Sequence, residues 1–249
     1  MRSLRARVLK YLRNQLVFRS LLTMSYWDYL RHRPVPFSLW VHARRLWNRI
    51  RFGRPRTLHG PSSQHLADNV IPYSRRKVDR VYRDRTERLM NVLRSIQGID
   101  PKAMRVLAIG PRNEAEVLLL SLYGFERRRI TAIDLVSESP LIQVMDMHKL
   151  EFADDEFDLV YSAYTLTYSD EIPRACAEML RVVQDGGLIA VSFLYGQDGT
   201  VNAFGQNPLG GGIAELLGYF AGHVQHIYWQ EEFPTGTSVL CSTIFRVRK

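Results

Sequence analysis

Acidic residues are almost missing from the first quarter of this chain. Residues 1–60 hold one, Asp28, against 14 Lys and Arg, a local excess of about +13. The remainder holds 20 basic and 24 acidic residues, about −4. A basic arm on a mildly acidic body excludes a cationic partner for the arm and points to an anionic one: a membrane surface, nucleic acid or an acidic protein. Cysteine is scarce too. Cys176 and Cys241 are the only two, far apart and in no metal-type spacing, which excludes a disulfide framework and a cysteine zinc site and predicts no metal. Long apolar runs are also lacking. None approaches the length a membrane-spanning helix needs. Arg13 and Asn14 interrupt the only stretch resembling a signal-peptide core, so a cytoplasmic location is expected. Internal repeats and low-complexity tracts are absent.

What is present divides into two parts. Residues 3–24 carry apolar side chains three or four apart, among them Leu4, Val8, Leu12 and Leu16, and read as a helix. Pro34 and Pro36 break the chain. A second helix is predicted over 37–52, with Leu39, Ala43, Leu46, Trp47 and Ile50 on one side and Arg44, Arg45, Arg49 and Arg51 around them. Basic amphipathic helices carrying Trp suit a membrane interface. Residues 53–75, rich in Gly, Pro and Ser, read as a linker or surface loop. The expected division is therefore a basic helical arm with linker, 1–75, and a domain, 76–249.

The domain opens on a helix over 76–97. From there strands and helices alternate: strand 104–110, helix 113–123, strands 129–134, 142–146 and 157–162, helix 171–183, strand 187–194. Such alternation indicates βαβ units and a mostly parallel sheet, an α/β fold. A Gly-rich loop at 205–212 leads into a helix near 213–221. Two last apolar runs, 223–229 and 238–247, are joined by a turn short enough for a hairpin, so the last strand should run antiparallel to its neighbour.

Polar clusters fall just past strand ends, where ligands bind in open α/β sheets. Gly110 ends the first strand, followed by Pro111 and Arg112. Glycine lets the backbone pass close to a ligand, and Arg112 is suited to grip a carboxylate. Asn113 and Glu116 form a variant capping box; Glu114 or Glu116 is equally placed to face a ligand ammonium. Asp134 ends the next strand, 24 residues after Gly110, where an acid can accept both hydroxyls of a ribose, with Leu135 beside it. Asp146, Met147 and His148 close the third strand and suit an adenine edge. Ser162 ends the fourth.

Taken together, Val106 to Gly110, Ile133 and Asp134, Asp146 to His148, Phe152 to Val160, and Leu180 to Gly187 resemble class I S-adenosylmethionine-dependent methyltransferases, most closely the small-molecule type 11 kind. The resemblance covers about residues 104–195 and implies a Rossmann-like seven-stranded, mostly parallel sheet with an antiparallel last strand, here carrying a basic helical N-terminal extension. It implies S-adenosylmethionine as cofactor. The family's loop has a Gly-x-Gly-x-Gly pattern preceded by an acid. Here Ala108 stands at the acid's position, and Arg112 and Glu114 stand at the later glycines. Arg112 with Glu114 or Glu116 is then expected to take over the methionine carboxylate and ammonium. The short span from Asp134 to Asp146 leaves no room for the usual second helix, so a loop should cover that side.

Methyl transfer needs in-line approach and, for a hydroxyl acceptor, a base. Tyr168 sits where relatives often carry His; Tyr164, His148, Asp170 and Tyr195 are further candidates. The expected function is methylation of a small molecule, glycan or lipid-linked acceptor, with residues 1–56 facing an anionic membrane at its inner surface. The alternatives are an RNA methyltransferase or a non-catalytic binding protein on the same fold. For the arm the reading stays open, because its apolar faces fit a membrane surface and an internal substrate cap equally.

Overall fold

In the computed structural model, residues 34–78, 80, 84–197, 202 and 204–249 are described; the predicted helix over 3–24 lies outside them. The chain divides into two compact units, 1–44 and 45–249. A helix, α1 (Pro34–Phe52), starts in the first unit and ends in the second. Everything below concerns the second unit unless stated.

The centre of that unit is made by β2 (Val106–Ile109), β3 (Ile130–Asp134), β6 (Phe157–Ala163) and β7 (Val183–Gly196). They are nearly continuous apolar runs because both faces are covered. Every side chain of β2 is buried. With the short β5 (Gln143–Val144), β8 (Val224–Thr235) and β9 (Ser238–Val247), they form a seven-stranded sheet of order β5-β3-β2-β6-β7-β9-β8. Pairing is parallel from β5 through β7, while β9 runs antiparallel to both β7 and β8. The expected seven-stranded fold, antiparallel last strand included, is what the sheet shows. The hairpin strand β8 runs to Thr235, six residues past the sequence expectation.

Alternation along each strand sorts the side chains into two layers. On one face Leu107, Ile109, Val160, Ile189 and Val191 pack with helix α5 (Ile172–Val182) and helix α6 (Gly212–Gly218). Helix α5 lies there because Ile172, Ala175, Cys176, Met179 and Val182 recur at helical spacing and are all buried. On the other face Val106, Ala108, Leu159 and Tyr161 pack with helix α3 (Asp84–Leu93) and helix α4 (Glu114–Leu122).

One region departs from expectation. Residues 53–75 are not a plain linker. Strand β1 (Arg56–Thr57) pairs antiparallel with β4 (Val136–Ser137), and a π turn (Leu66–Val70) runs into helix α2 (Ile71–Lys77). Leu66, Val70 and Ile71 are buried. This segment covers the sheet's carboxyl edge beside β3, where the short span to Asp146 carries no helix.

Candidate active site

The order in which strands are added to the sheet reverses at β2, which has β3 on one side and β6 on the other. The crevice outside the carboxyl ends of such strands is the natural ligand position. A cavity of about 730 Å³, open mouth included, lies there. Of the residues singled out in the sequence, Gly110, Arg112, Asp134, Leu135, Asp146, Met147, His148, Tyr164 and Tyr168 all line it.

Gly110 has a φ of +74°, a conformation that a side chain disfavours. Its need for glycine is also local. A Cβ there would run into the Thr165 hydroxyl and methyl across the cavity edge. Thr165 donates to the Ile109 carbonyl at 3.2 Å, so the loops after β2 and β6 are locked together. Tyr164, next to it, holds φ at +60°, a strained setting for a non-glycine residue.

Asp134 sits on the cavity floor. Its Oδ1 accepts the Val136 amide at 3.0 Å. The surrounding protein desolvates its carboxyl and pushes it up to about 7, although the Val136 and Leu135 amides and the Arg112 charge pull the other way. Asp146 behaves oppositely. Burial alone would raise it, but hydrogen bonds from the His148 ring and amide and from Ser62 outweigh that and hold it well below the ordinary carboxylate range. His148 Nδ1 lies 2.6 Å from Asp146 Oδ1 and its Nε2 lies 2.7 Å from Ser169 Oγ. The Ser62 amide donates to Asp146 Oδ2 at 2.9 Å. Both nitrogens of the fully buried His148 ring are thus engaged, which makes it a brace for the wall and takes it out of reach as a base for a substrate.

Four other candidates lie off the cavity lining. Pro111 and Ser162 are buried behind it. Glu114 is 1% exposed and accepts Asn48 Nδ2 at 2.9 Å and Ser139 Oγ at 2.6 Å. Glu116 accepts the Arg112 amide at 3.2 Å. The reason is the helix N-terminus. Asn113 caps it, its side chain accepting the Ala115 amide at 3.0 Å, and this turns the first-turn acids into the loop and away from the ligand side. Among the described charged residues of this loop, Arg112 alone lines the cavity. Tyr195 lines a neighbouring cleft and Asp170 another.

No sequence pattern marked the other wall. Leu66, Val70, Tyr73, Ser74 and Lys77, all within or just past the presumed linker, close the cavity. Tyr73, Tyr168 and Phe204 stack at ring separations of 5.3–5.8 Å. Tyr73 and Tyr168 belong also to the neighbouring cleft, of about 580 Å³. Among the described residues no group of three or more His, Cys, Asp and Glu side chains is placed to hold a metal.

The donor set fits a nucleoside sulfonium in part. A desolvated carboxylate suits a ribose diol, Leu135, Met145 and Met147 give apolar walls for a purine, and Arg112 with Lys77 places positive charge near a carboxylate. For the ammonium, the first-turn acids supply nothing on the cavity side.

Comparison with known proteins agrees. The sequence model of a methyltransferase domain family matches residues 107–191. No curated protein matches the chain in sequence. Among solved structures, the 1,6-didemethyltoxoflavin-N1-methyltransferase of Burkholderia thailandensis, solved with 1,6-didemethyltoxoflavin and S-adenosylhomocysteine, is 17% identical with a TM-score of 0.56. The match covers 78% of this chain and 95% of that one. The N-methyltransferase NodS of Bradyrhizobium japonicum WM9, solved with S-adenosylhomocysteine, is 17% identical with a TM-score of 0.52, over 73% and 100%. The [4+2]-cyclase SpnF is 16% identical with a TM-score of 0.51, over 65% and 81%. At such identities these neighbours speak for the fold, and the family match speaks for residues 107–191. The match to the methyltransferase domain family is confined to residues 107–191, about a third of the chain, and the solved methyltransferases share its fold.

Proposed function

We propose that the chain transfers the methyl group of S-adenosylmethionine to a small molecule, or to the small end of a glycan or lipid-linked acceptor, in the cytoplasm. The observation that carries this reading is the convergence of Asp134, Arg112 and the Asp146 to His148 turn on one cavity at the carboxyl edge.

When bound, the cofactor would supply an electrophilic methyl group on a sulfonium: an acceptor's nucleophile attacks that carbon in line, the carbon–sulfur bond breaks and the neutral thioether leaves. The chain's own part is to hold and orient. Asp134 accepts the ribose hydroxyls, and Arg112 attracts the methionine carboxylate. The Asp146–His148–Ser169 chain fixes the turn that faces the base. Tyr73 and Tyr168 stand between this cavity and the neighbouring cleft, so an acceptor entering that cleft meets their rings first. Tyrosine is a weak base near neutrality, with an ordinary pKa of about 10, and Tyr168 and Tyr164 serve here to position the acceptor. The acceptor then arrives already nucleophilic, or loses its proton to water.

Calorimetry with S-adenosylmethionine tests the cofactor site. Binding is expected, and Asp134→Ala should weaken it by about 2–4 kcal/mol through the lost hydrogen bonds. Unchanged affinity in the variant rejects the ribose assignment. Absence of heat at high micromolar ligand supports the second reading, a non-catalytic binding protein. That reading draws on Glu114 and Glu116, which face away from the cavity. Methyl transfer to tRNA in place of small acceptors would support the RNA reading.

A further inference from the structure

From Arg45 to Phe52, helix α1 is amphipathic in the reverse of the usual sense for a helix on a protein body, whereas Phe37 and Val41 nearer its start are buried. In the unit that contains its second half, Leu46, Trp47, Ile50 and Phe52 are 62%, 60%, 73% and 54% exposed. Arg45 and Asn48, by contrast, are 7% and 4% exposed. The polar side is turned inward because it has partners there. Arg45 donates to Glu138 Oε2 at 2.9 Å, Arg49 to Glu138 Oε1 at 2.6 Å, and Asn48 to Glu114. At helical spacing Leu46, Trp47 and Ile50 fall on one side, an outward apolar stripe about 100° wide. Arg51 borders it on one side and Arg49 on the other.

Scattered exposed apolar residues are ordinary, but a continuous stripe of large ones signals an interaction surface. Its borders choose among occupants. Two copies packed stripe to stripe would bring their arginine borders together, adding to the +13 that each N-terminal quarter already carries. A nucleic acid would engage the arginines and leave Leu46, Trp47 and Ile50 in water. An anionic bilayer satisfies both. Its acyl boundary takes the apolar side chains and the Trp47 ring prefers that depth, while its headgroups meet the bordering arginines. We infer that the outward face of α1 lies in the surface of an anionic membrane, holding the methyltransferase domain against it. The alternative of an internal substrate cap does not suit this part of the helix, where Leu46, Trp47 and Ile50 are exposed and the polar side chains meet the domain.

Co-sedimentation of the full chain with vesicles tests this without cofactor, so its outcome is independent of the methyl-transfer reading. Vesicles of phosphatidylcholine with about 30 mol % phosphatidylglycerol should bind the chain, pure phosphatidylcholine much less, and added salt should weaken binding. The double variant Leu46→Glu with Ile50→Glu should lower the partition coefficient by on the order of tenfold or more. Its circular dichroism should be unchanged, since both sites are exposed. Trp47 emission should shift to the blue with anionic vesicles, read as the part of the spectrum lost in Trp47→Phe. Three results overturn the proposal: no binding by the parent chain, equal binding by the double variant, or a dimer in ultracentrifugation that the double variant dissociates. Binding to tRNA that exceeds vesicle binding and survives the double variant overturns it as well.

Discussion

Asp134 concentrates the chemistry of the cavity in one carboxyl group. Burial raises it to about 7 from an ordinary carboxylate value of 3.8. The linkage has a definite sign. In the folded chain Asp134 holds a proton that the unfolded chain releases between about pH 4 and 7. The stability it contributes is full below the lower value and is lost as pH rises through 7. On the proposed ribose role, ionised Asp134 is also the better acceptor for the hydroxyls, and cofactor binding would draw the proton off. Affinity for S-adenosylmethionine should therefore rise as pH increases through about 7. Calorimetry in buffers of different ionisation enthalpy should show proton release near neutral pH, and Asp134→Asn should abolish both the release and the pH dependence. A flat affinity between about pH 6 and 8 in the parent chain would contradict this. At this scale the sequence was informative where side chains end strands. Asp134 lies at the cavity because a parallel strand delivers its last residue to the carboxyl edge, and Asp146 because it follows the end of β5 at that same edge. It misled at Glu114 and Glu116, because their direction is set by the Asn113 cap and by partners as distant as Asn48, which spacing does not reveal.

Helix α1 shows what periodicity conveys and what it leaves out. The apolar stripe of Leu39, Ala43, Leu46, Trp47 and Ile50 was legible at once; which side meets the protein was not. That side is chosen by Glu114 and Glu138, more than sixty residues downstream, whose carboxylates take up Asn48, Arg45 and Arg49. The two arginines should differ sharply in weight. Arg45 and Glu138 have side chains 8% and 4% exposed, whereas that of Arg49 is 53% exposed. Glu138→Ala leaves a buried guanidinium without its carboxylate and should cost about 3 kcal/mol in urea unfolding. Arg49→Ala removes an exposed partner and should cost less than about 1 kcal/mol. Comparable losses in the two variants would mean that the ion pair does not hold the helix.

On the scale of the molecule, strand order and direction followed from the alternation of apolar runs and caps, since buried parallel strands must be hydrophobic on both faces. The roof over the cavity did not, because residues 53–75 have the Gly, Pro and Ser content of a loop. Their structure comes from contacts distant in sequence: the β1–β4 ladder, the Ser62 amide on Asp146, and Leu66 and Val70 buried at the edge of β3. Truncation should separate the two parts. A chain starting at Pro34 keeps every described lining residue and should bind S-adenosylmethionine with parent affinity. One starting at residue 76 loses Leu66, Val70, Tyr73 and Ser74 from the wall and should bind at least about tenfold more weakly. Equal affinity of both would place the ligand elsewhere.

The Ser62–Asp146 bond carries a kinetic implication. The sheet beneath the cavity is tied by continuous parallel ladders, while the roof is fastened by the Ser62 amide, the two-residue β1–β4 ladder, the Leu58 amide on the Leu135 carbonyl and Arg56 on the Ser139 and Ile142 carbonyls. Local opening begins where the fewest bonds must break. The residence time of any molecule in the cavity is then governed by how often that fastening comes undone, and turnover can proceed no faster than the roof releases what the floor has helped to make.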